Sequence, residues 1–229
     1  MLSPLQELVA AIVSGLEEAD GFALAGGAAL IVRGEIDRRT RDLDFFGLSA
    51  AAVDRLAPVA EQALRRAGLD VERVLGGSGF ARLVVTRADQ RTEVDLASDA
   101  RLFPAERAPD GLLLLSRKEL AVDKLLAVFG RAEARDFVDL LAIERHFGLS
   151  QLFGLAAEKD RGFTPELFAE MTERFTRLRR DEFPIDDGRY QELERAVREW
   201  RGFARALSPE HERGIDEGRD RGAGTGLGP

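Results

Sequence analysis

The alternation in Arg41-Asp42-Leu43-Asp44-Phe45-Phe46 constrains this chain more than any other stretch of it. Side chains of a strand point to opposite faces in turn, so Asp42 and Asp44 share one face while Leu43 packs from the other into a core. Two carboxylates this close repel and raise each other's pKa unless a cation is present, and Mg²⁺ suits an all-oxygen site that also takes in substrate phosphates. Upstream, Ala25-Gly26-Gly27-Ala28-Ala29-Leu30 places a glycine pair ahead of a helix, where backbone N–H groups are offered to phosphate. A third carboxylate lies in Arg91-Thr92-Glu93-Val94-Asp95-Leu96, where Val94 and Leu96 face the core and Glu93 and Asp95 the opposite side. A neighbouring strand is expected to bring Asp95 beside the pair. Two metals bridged by Asp42, Asp44 and Asp95 would activate an attacking hydroxyl and neutralise a departing pyrophosphate, with Asp95 the candidate general base. Acidic pairs recur on exposed strand edges, and a glycine pair is more often a tight turn than a phosphate cradle. Spacing and strand context make the combination stronger than its parts, and it points to nucleotidyl transfer.

With 229 residues, 45% of them hydrophobic, the chain can bury one sizeable core, with room for a larger and a smaller lobe. It has no cysteine, so a metal must be held by oxygen or histidine; with only two histidines, oxygen is the better candidate. No signal peptide and no bilayer-spanning run is found, so a cytoplasmic protein with no membrane partner is expected. A net charge of -8 argues against a uniformly basic nucleic-acid binder, and no DNA partner is expected; a local basic face would still admit RNA.

Along the chain, Ser3 and Pro4 open a helix with apolar residues at helical spacing that closes near Asp20-Gly21. Phe22 to Ala25 reads as a strand, Gly26-Gly27 as a turn, Ala28 to Arg33 as a short helix and Leu43 to Phe46 as the next strand. Residues 50–67 read as a helical region that Pro58 kinks or divides. Val71 to Leu75, Ala81 to Thr86 and Thr92 to Ala97 read as strands, with Arg87-Ala88-Asp89-Gln90 turning between the last two. Gly76-Gly77-Ser78-Gly79 reads as a hairpin turn. The result is an α+β fold, a mixed sheet flanked by helices.

After a loop from Phe103 to Asp110 and the apolar run Leu112 to Leu115, the pattern turns helical. Ser116 and Glu119 form a capping box for a helix over Arg117 to Gly130, and Arg135 to Phe147 makes another that Gly148 ends. Thr164-Pro165 starts a further helix, Tyr190 to Leu207 is the last, and residues 208–229 read as a disordered tail. His146 is expected to meet the last carbonyls of its helix rather than a metal. The arginines between Arg174 and Arg205 would suit a tRNA backbone, but interspersed glutamates favour a mixed-charge solvated face.

Gly26-Gly27-Ala28-Ala29-Leu30, the Asp-x-Asp block, Lys124-Leu125-Leu126-Ala127 with Arg131, and Arg135-Asp136-Phe137-Val138-Asp139-Leu140 resemble the AbiEii/AbiGii-type nucleotidyltransferase toxins, which include the MenT toxins. The resemblance covers residues 20–147. It implies a polymerase-β-like nucleotidyltransferase fold with a helical C-terminal lobe, here a core over 1–115 and a lobe over 116–207 that completes the site. It also implies Mg²⁺-dependent transfer from an NTP, in some members to the tRNA 3′ end, and a cognate antitoxin. Carried over by position, Gly26 and Gly27 bind the triphosphate and Asp42 and Asp44 hold Mg²⁺; Arg41 and Arg131 are further candidates for the nucleotide, and Asp95 for the metal. Lys124 contacts phosphates, and Asp136 with Asp139 completes the distal motif. Ala28 offers no hydroxyl where many nucleotidyltransferases carry serine or threonine, which leaves phosphate to backbone N–H groups.

An acidic chain would also suit a small cationic acceptor such as an aminoglycoside. Modification of a partner protein in an antitoxin role, and a non-enzymatic descendant, stay open at this point.

Overall fold

The computed structural model describes residues 1–109 and 111–208. In chain order the elements are α1 (Pro4–Ser14), β1 (Ala23–Leu24), α2 (Gly26–Val32), β2 (Asp42–Gly47), α3 (Ala50–Arg66), β3 (Asp70–Gly77), β4 (Phe80–Arg87), β5 (Gln90–Ser98), β6 (Glu106–Arg107) and β7 (Leu113–Leu114). Five further α-helices follow: α4 (Arg117–Gly130), α5 (Ala134–Glu144), α6 (Leu149–Lys159), α7 (Pro165–Thr172) and α8 (Asp187–Ala206). The expected disordered tail, 208–229, lies outside the described residues apart from Ser208.

The strands form one mixed sheet in the order β3-β4-β5-β2-β1-β7-β6. β3, β4 and β5 are antiparallel neighbours, β5 runs parallel to β2, and β2 is antiparallel to β1. The parallel pairing aligns Asp44 with Asp95 and Asp42 with Glu93. On β2 burial alternates as the sequence requires, with Leu43 and Phe45 essentially inaccessible and Asp42 and Asp44 half-buried on the other face.

Ser3 caps α1 through a reciprocal bond with Gln6, Pro4 fills the first helical position, and Leu5, Val9 and Val13 enter the core. The helix stops at Ser14, and Glu17–Ala19 form a separate 3₁₀ turn, so the expected single helix to residue 20 is shorter. Gly26 and Gly27 stand in the first turn of α2 rather than in a turn ahead of it. Pro58 lies inside α3 without dividing it; Val53, Leu56, Ala57, Ala60 and Leu64 bury one stripe, and that burial carries the helix past the lost N–H. Gly76 and Gly77 extend β3, which leaves Ser78-Gly79 as the hairpin turn.

The helical half departs further from expectation. α6 was not anticipated, although Leu149, Leu152, Phe153 and Ala156 have helical spacing and the last three are buried. Ser116 caps α4 by accepting from the Glu119 N–H at 3.1 Å, but Glu119 does not return the bond. Its buried carboxylate instead accepts from the Leu102 and Phe103 N–H groups at 3.0 and 2.9 Å and from the Lys159 ammonium at 2.7 Å. Lys159 also reaches Asp99 and Asp123, which fastens α6 to α4 and to the end of β5. His146 pairs with Glu35, 2.9 Å away, and not with helix-end carbonyls. Burial works to raise the Glu35 carboxyl, and hydrogen bonds from His146 and Arg117 outweigh it. Of the C-terminal arginines, Arg180, Arg201 and Arg205 are tied to Asp187, Thr172 and Glu173, as a mixed-charge face requires.

Candidate active site

The segment that leads into β2 is pinned before it reaches the carboxylates. The Gln6 amide donates to the Thr40 carbonyl at 3.1 Å, and the Thr92 hydroxyl donates to the Arg41 carbonyl at 3.1 Å. Thr40 in turn donates its hydroxyl to Asp42 at 2.6 Å, and the Arg135 guanidinium donates to the other Asp42 oxygen at 3.3 Å. Burial pushes the Asp42 carboxyl up, but the Thr40 bond and the charges of Arg135 and Lys124 hold it below the ordinary carboxylate range.

Asp44 is the opposite case. No described residue gives its carboxylate a hydrogen bond, and burial beside Asp42 and Asp95 pushes it up to about 6. One of its oxygens occupies the space that a Cβ on Gly26 would fill, and Gly26 has φ +58, so this corner of the site needs glycine on two counts. Asp95 lies beside Asp44 in register, as expected, and Arg82 clasps both of its oxygens at 2.7 and 2.6 Å.

A cleft of about 200 Å³ opens over these residues. Of the residues expected from the sequence, Gly26, Gly27, Asp42, Asp44, Asp95, Lys124 and Arg131 line it. Arg41 is exposed and stands outside the lining, while Asp136 and Asp139 are fully buried behind it. Asp136 receives Arg131 at 2.8 Å through two parallel bonds and accepts from the Glu133 N–H, so its link to the cleft runs through Arg131. Asp139 accepts two bonds from Arg38 at 2.8 and 2.6 Å and one from Lys124 at 2.9 Å. Burial alone would raise the Asp139 carboxyl, and Lys124 and Arg38 bring it below its usual range.

Sequence reasoning missed Arg38, Arg82, Asp123 and Arg135, all of which line the cleft. A signal for the first was present: Arg38, Thr40, Asp42, Asp44 and Phe46 occupy alternate positions, so the two-residue period of β2 extends back through the preceding segment. Arg82 is the direct partner of Asp95 in the β4–β5 register, which no local pattern encodes.

In all, five cations (Arg38, Arg82, Lys124, Arg131 and Arg135) and four carboxylates (Asp42, Asp44, Asp95 and Asp123) converge. Among the described residues no group of three or more histidine, cysteine, aspartate and glutamate side chains is placed to hold a metal by itself. Asp42 and Asp44 nonetheless fit a hard divalent cation that shares its remaining positions with phosphate oxygens and water, because Asp44 is a carboxylate without a donor in a like-charged pair. The cations around them suit a polyanion.

Comparison with known proteins agrees with this chemistry. The family model described as nucleotidyl transferase AbiEii toxin, type IV toxin–antitoxin system, matches residues 8–221. No curated protein matches in sequence. Among solved structures, JHP933 from Helicobacter pylori is 20% identical with a TM-score of 0.56, over 96% of this chain and 99% of that one. The nucleotidyltransferase toxin MenT4 from Mycobacterium tuberculosis is 19% identical with a TM-score of 0.55, over 91% and 92%. The α+β, polymerase-β-like architecture is thus shared with nucleotidyltransferase toxins, and no helix among the described residues is long and apolar enough to cross a membrane.

Proposed function

As the chain belongs to the AbiEii family of nucleotidyltransferase toxins, we propose that it moves a nucleotide from an NTP, with Mg²⁺, to the 3′ end of a tRNA, and that a cognate antitoxin restrains it. The observation that carries the reading is the Asp42–Asp44 pair in one cleft with Arg38, Arg82, Lys124, Arg131 and Arg135. Mg²⁺ held by the two aspartates would neutralise the reacting phosphate and the departing pyrophosphate. Gly26 and Gly27 bring backbone close to the triphosphate, and Lys124, Arg131 and Arg135 supply point charges and forks for its oxygens. Asp95, held by Arg82 beside Asp44, is the candidate to accept a proton. The acceptor hydroxyl then forms its bond to the α-phosphorus as its proton passes to Asp95, and the bond to the β-phosphate oxygen breaks to release pyrophosphate. Arginine and lysine forks that face the cleft beside the aspartates support an anionic acceptor such as RNA.

Incubation with total tRNA, Mg²⁺ and each labelled NTP is expected to label tRNA, and Asp44→Ala is expected to abolish the label. Label on small amines or on a protein in place of tRNA would overturn the acceptor assignment. Gly26→Ala tests the geometry, because the new Cβ meets the Asp44 carboxylate at a backbone angle that alanine resists. Transfer is expected to fall about 100-fold through misplacement of Asp44, with the circular dichroism of the fold retained. Undiminished turnover in that variant would show that Asp44 need not stand where it does.

A further inference from the structure

We propose that Arg38 binds the triphosphate of the nucleotide and that Asp139 is its positioning residue, an inference that rests on the nucleotidyl-transfer reading of the same cleft. Arg38 comes from the loop between α2 and β2, and Asp139 from α5, 101 residues further on. The Nε and Nη2 of Arg38 donate to the two Asp139 oxygens, and Nη1 donates to the Arg39 carbonyl at 2.9 Å. A guanidinium has five N–H bonds, so one remains on Nη1 and one on Nη2.

Nη2 of the fork lies against Gly27. A Cβ on Gly27 would stand 3.0 Å from Nη2 and 3.6 Å from Cζ of Arg38, so the missing side chain is what lets the guanidinium lie on the first turn of α2. The next residue, Ala28, is buried and carries no side-chain donor. Arg38 therefore puts a planar donor beside the glycine backbone, where the side chains of α2 offer none.

Charge agrees with geometry. Lys124 shares the Asp139 carboxylate with Arg38; the side chains of the two cations are each 8% exposed and that of Asp139 is inaccessible. Asp139 divides its charge between two cations, and Lys124 also faces Asp42 and Asp44, so Arg38 keeps positive charge with little water around it; Arg38 and Lys124 line the cleft while Asp139 does not. Such a charge attracts a polyanion more strongly than an exposed arginine can. The alternative is a clamp that only ties the α2–β2 loop to α5.

Arg38→Lys separates the two, because lysine keeps an ion pair with Asp139 but loses the fork. Equilibrium dialysis would measure the affinity of wild type and variant for each NTP and the matching NMP. NTP affinity is expected to fall about 10- to 100-fold, as for loss of a charge-assisted hydrogen bond, with NMP affinity and melting temperature little changed. Arg38→Gln, which keeps an amide for Asp139, is read the same way where the lysine variant does not fold. An unchanged NTP-to-NMP affinity ratio in a folded variant would overturn the proposal and make Arg38 a clamp. Loss of the fold in both variants would do the same. A wild-type protein that binds no NTP would overturn the reading of the whole site along with it.

Discussion

Asp44→Asn is expected to reduce nucleotidyl transfer by at least about 1,000-fold and at the same time to stabilise the divalent-cation-free protein at pH 7.5 by about 1–3 kcal/mol. The first effect follows from the proposed role of Asp44 at the reacting phosphate. The second follows from its surroundings. Burial, with Asp42 and Asp95 at hand, raises its carboxyl from 3.8 to about 6. Between those values the native protein holds a proton that the unfolded chain has released, so stability falls as pH rises from about 4 to 6, and the penalty is complete above that window. Asparagine has the same shape and no charge to bury, so it removes the penalty.

Thermal melts in chelator at pH 4.5 and 7.5 check the claim. Wild type is expected to lose stability between the two values by more than Asp44→Asn does. Added Mg²⁺ should recover the difference in wild type and leave the variant unmoved, because the cation gains most from a carboxylate that no protein donor holds. A variant that melts below wild type at pH 7.5 in chelator would show that Asp44 is held by contacts, not strained by charge. Here activity and stability pull against each other at a single residue, as they do where a site keeps like charges together for a ligand.

Much of the architecture was legible because it is written in neighbouring residues. Ser3-Pro4 and Thr164-Pro165 mark helix starts by their own chemistry, and the alternation through Asp42 and Asp44 sorts core from cleft without knowledge of the partner strand. Local signals failed where distant groups compete for the same atoms. Glu119 has the spacing of a capping box, but the N–H groups of Leu102 and Phe103 and the Lys159 ammonium take its carboxylate. Pro58 is exposed and reads as a break until the buried stripe of the same helix is packed on the sheet. The cleft shows the same division. Its carboxylates follow from strand period, whereas the arginines that face them arrive through β-register for Arg82 and through a contact 101 residues long for Arg38.

Asp139→Ala is expected to cost about 3–5 kcal/mol of stability, because it strips the anion from two buried cations. Arg38 and Lys124 would be left close together with little solvent, and in a chain of this size the melting temperature should drop on the order of 10 °C. The native Asp139 carboxyl titrates below its ordinary range, so it contributes stability above about pH 4 that is lost as pH falls through the lower native value. The gap between wild type and Asp139→Ala should therefore narrow under acid conditions. A double-mutant cycle with Lys124→Met isolates the cause. Where repulsion between stranded cations dominates, Lys124→Met is destabilising alone but restores part of the loss in the Asp139→Ala background. Additive losses would instead assign the cost to the cavity left by the side chain, and the charge balance inferred for this corner of the cleft would fail. Transfer activity should stay low in the double variant even where its fold recovers, because Lys124 is gone and Arg38 has lost the carboxylate that aims it.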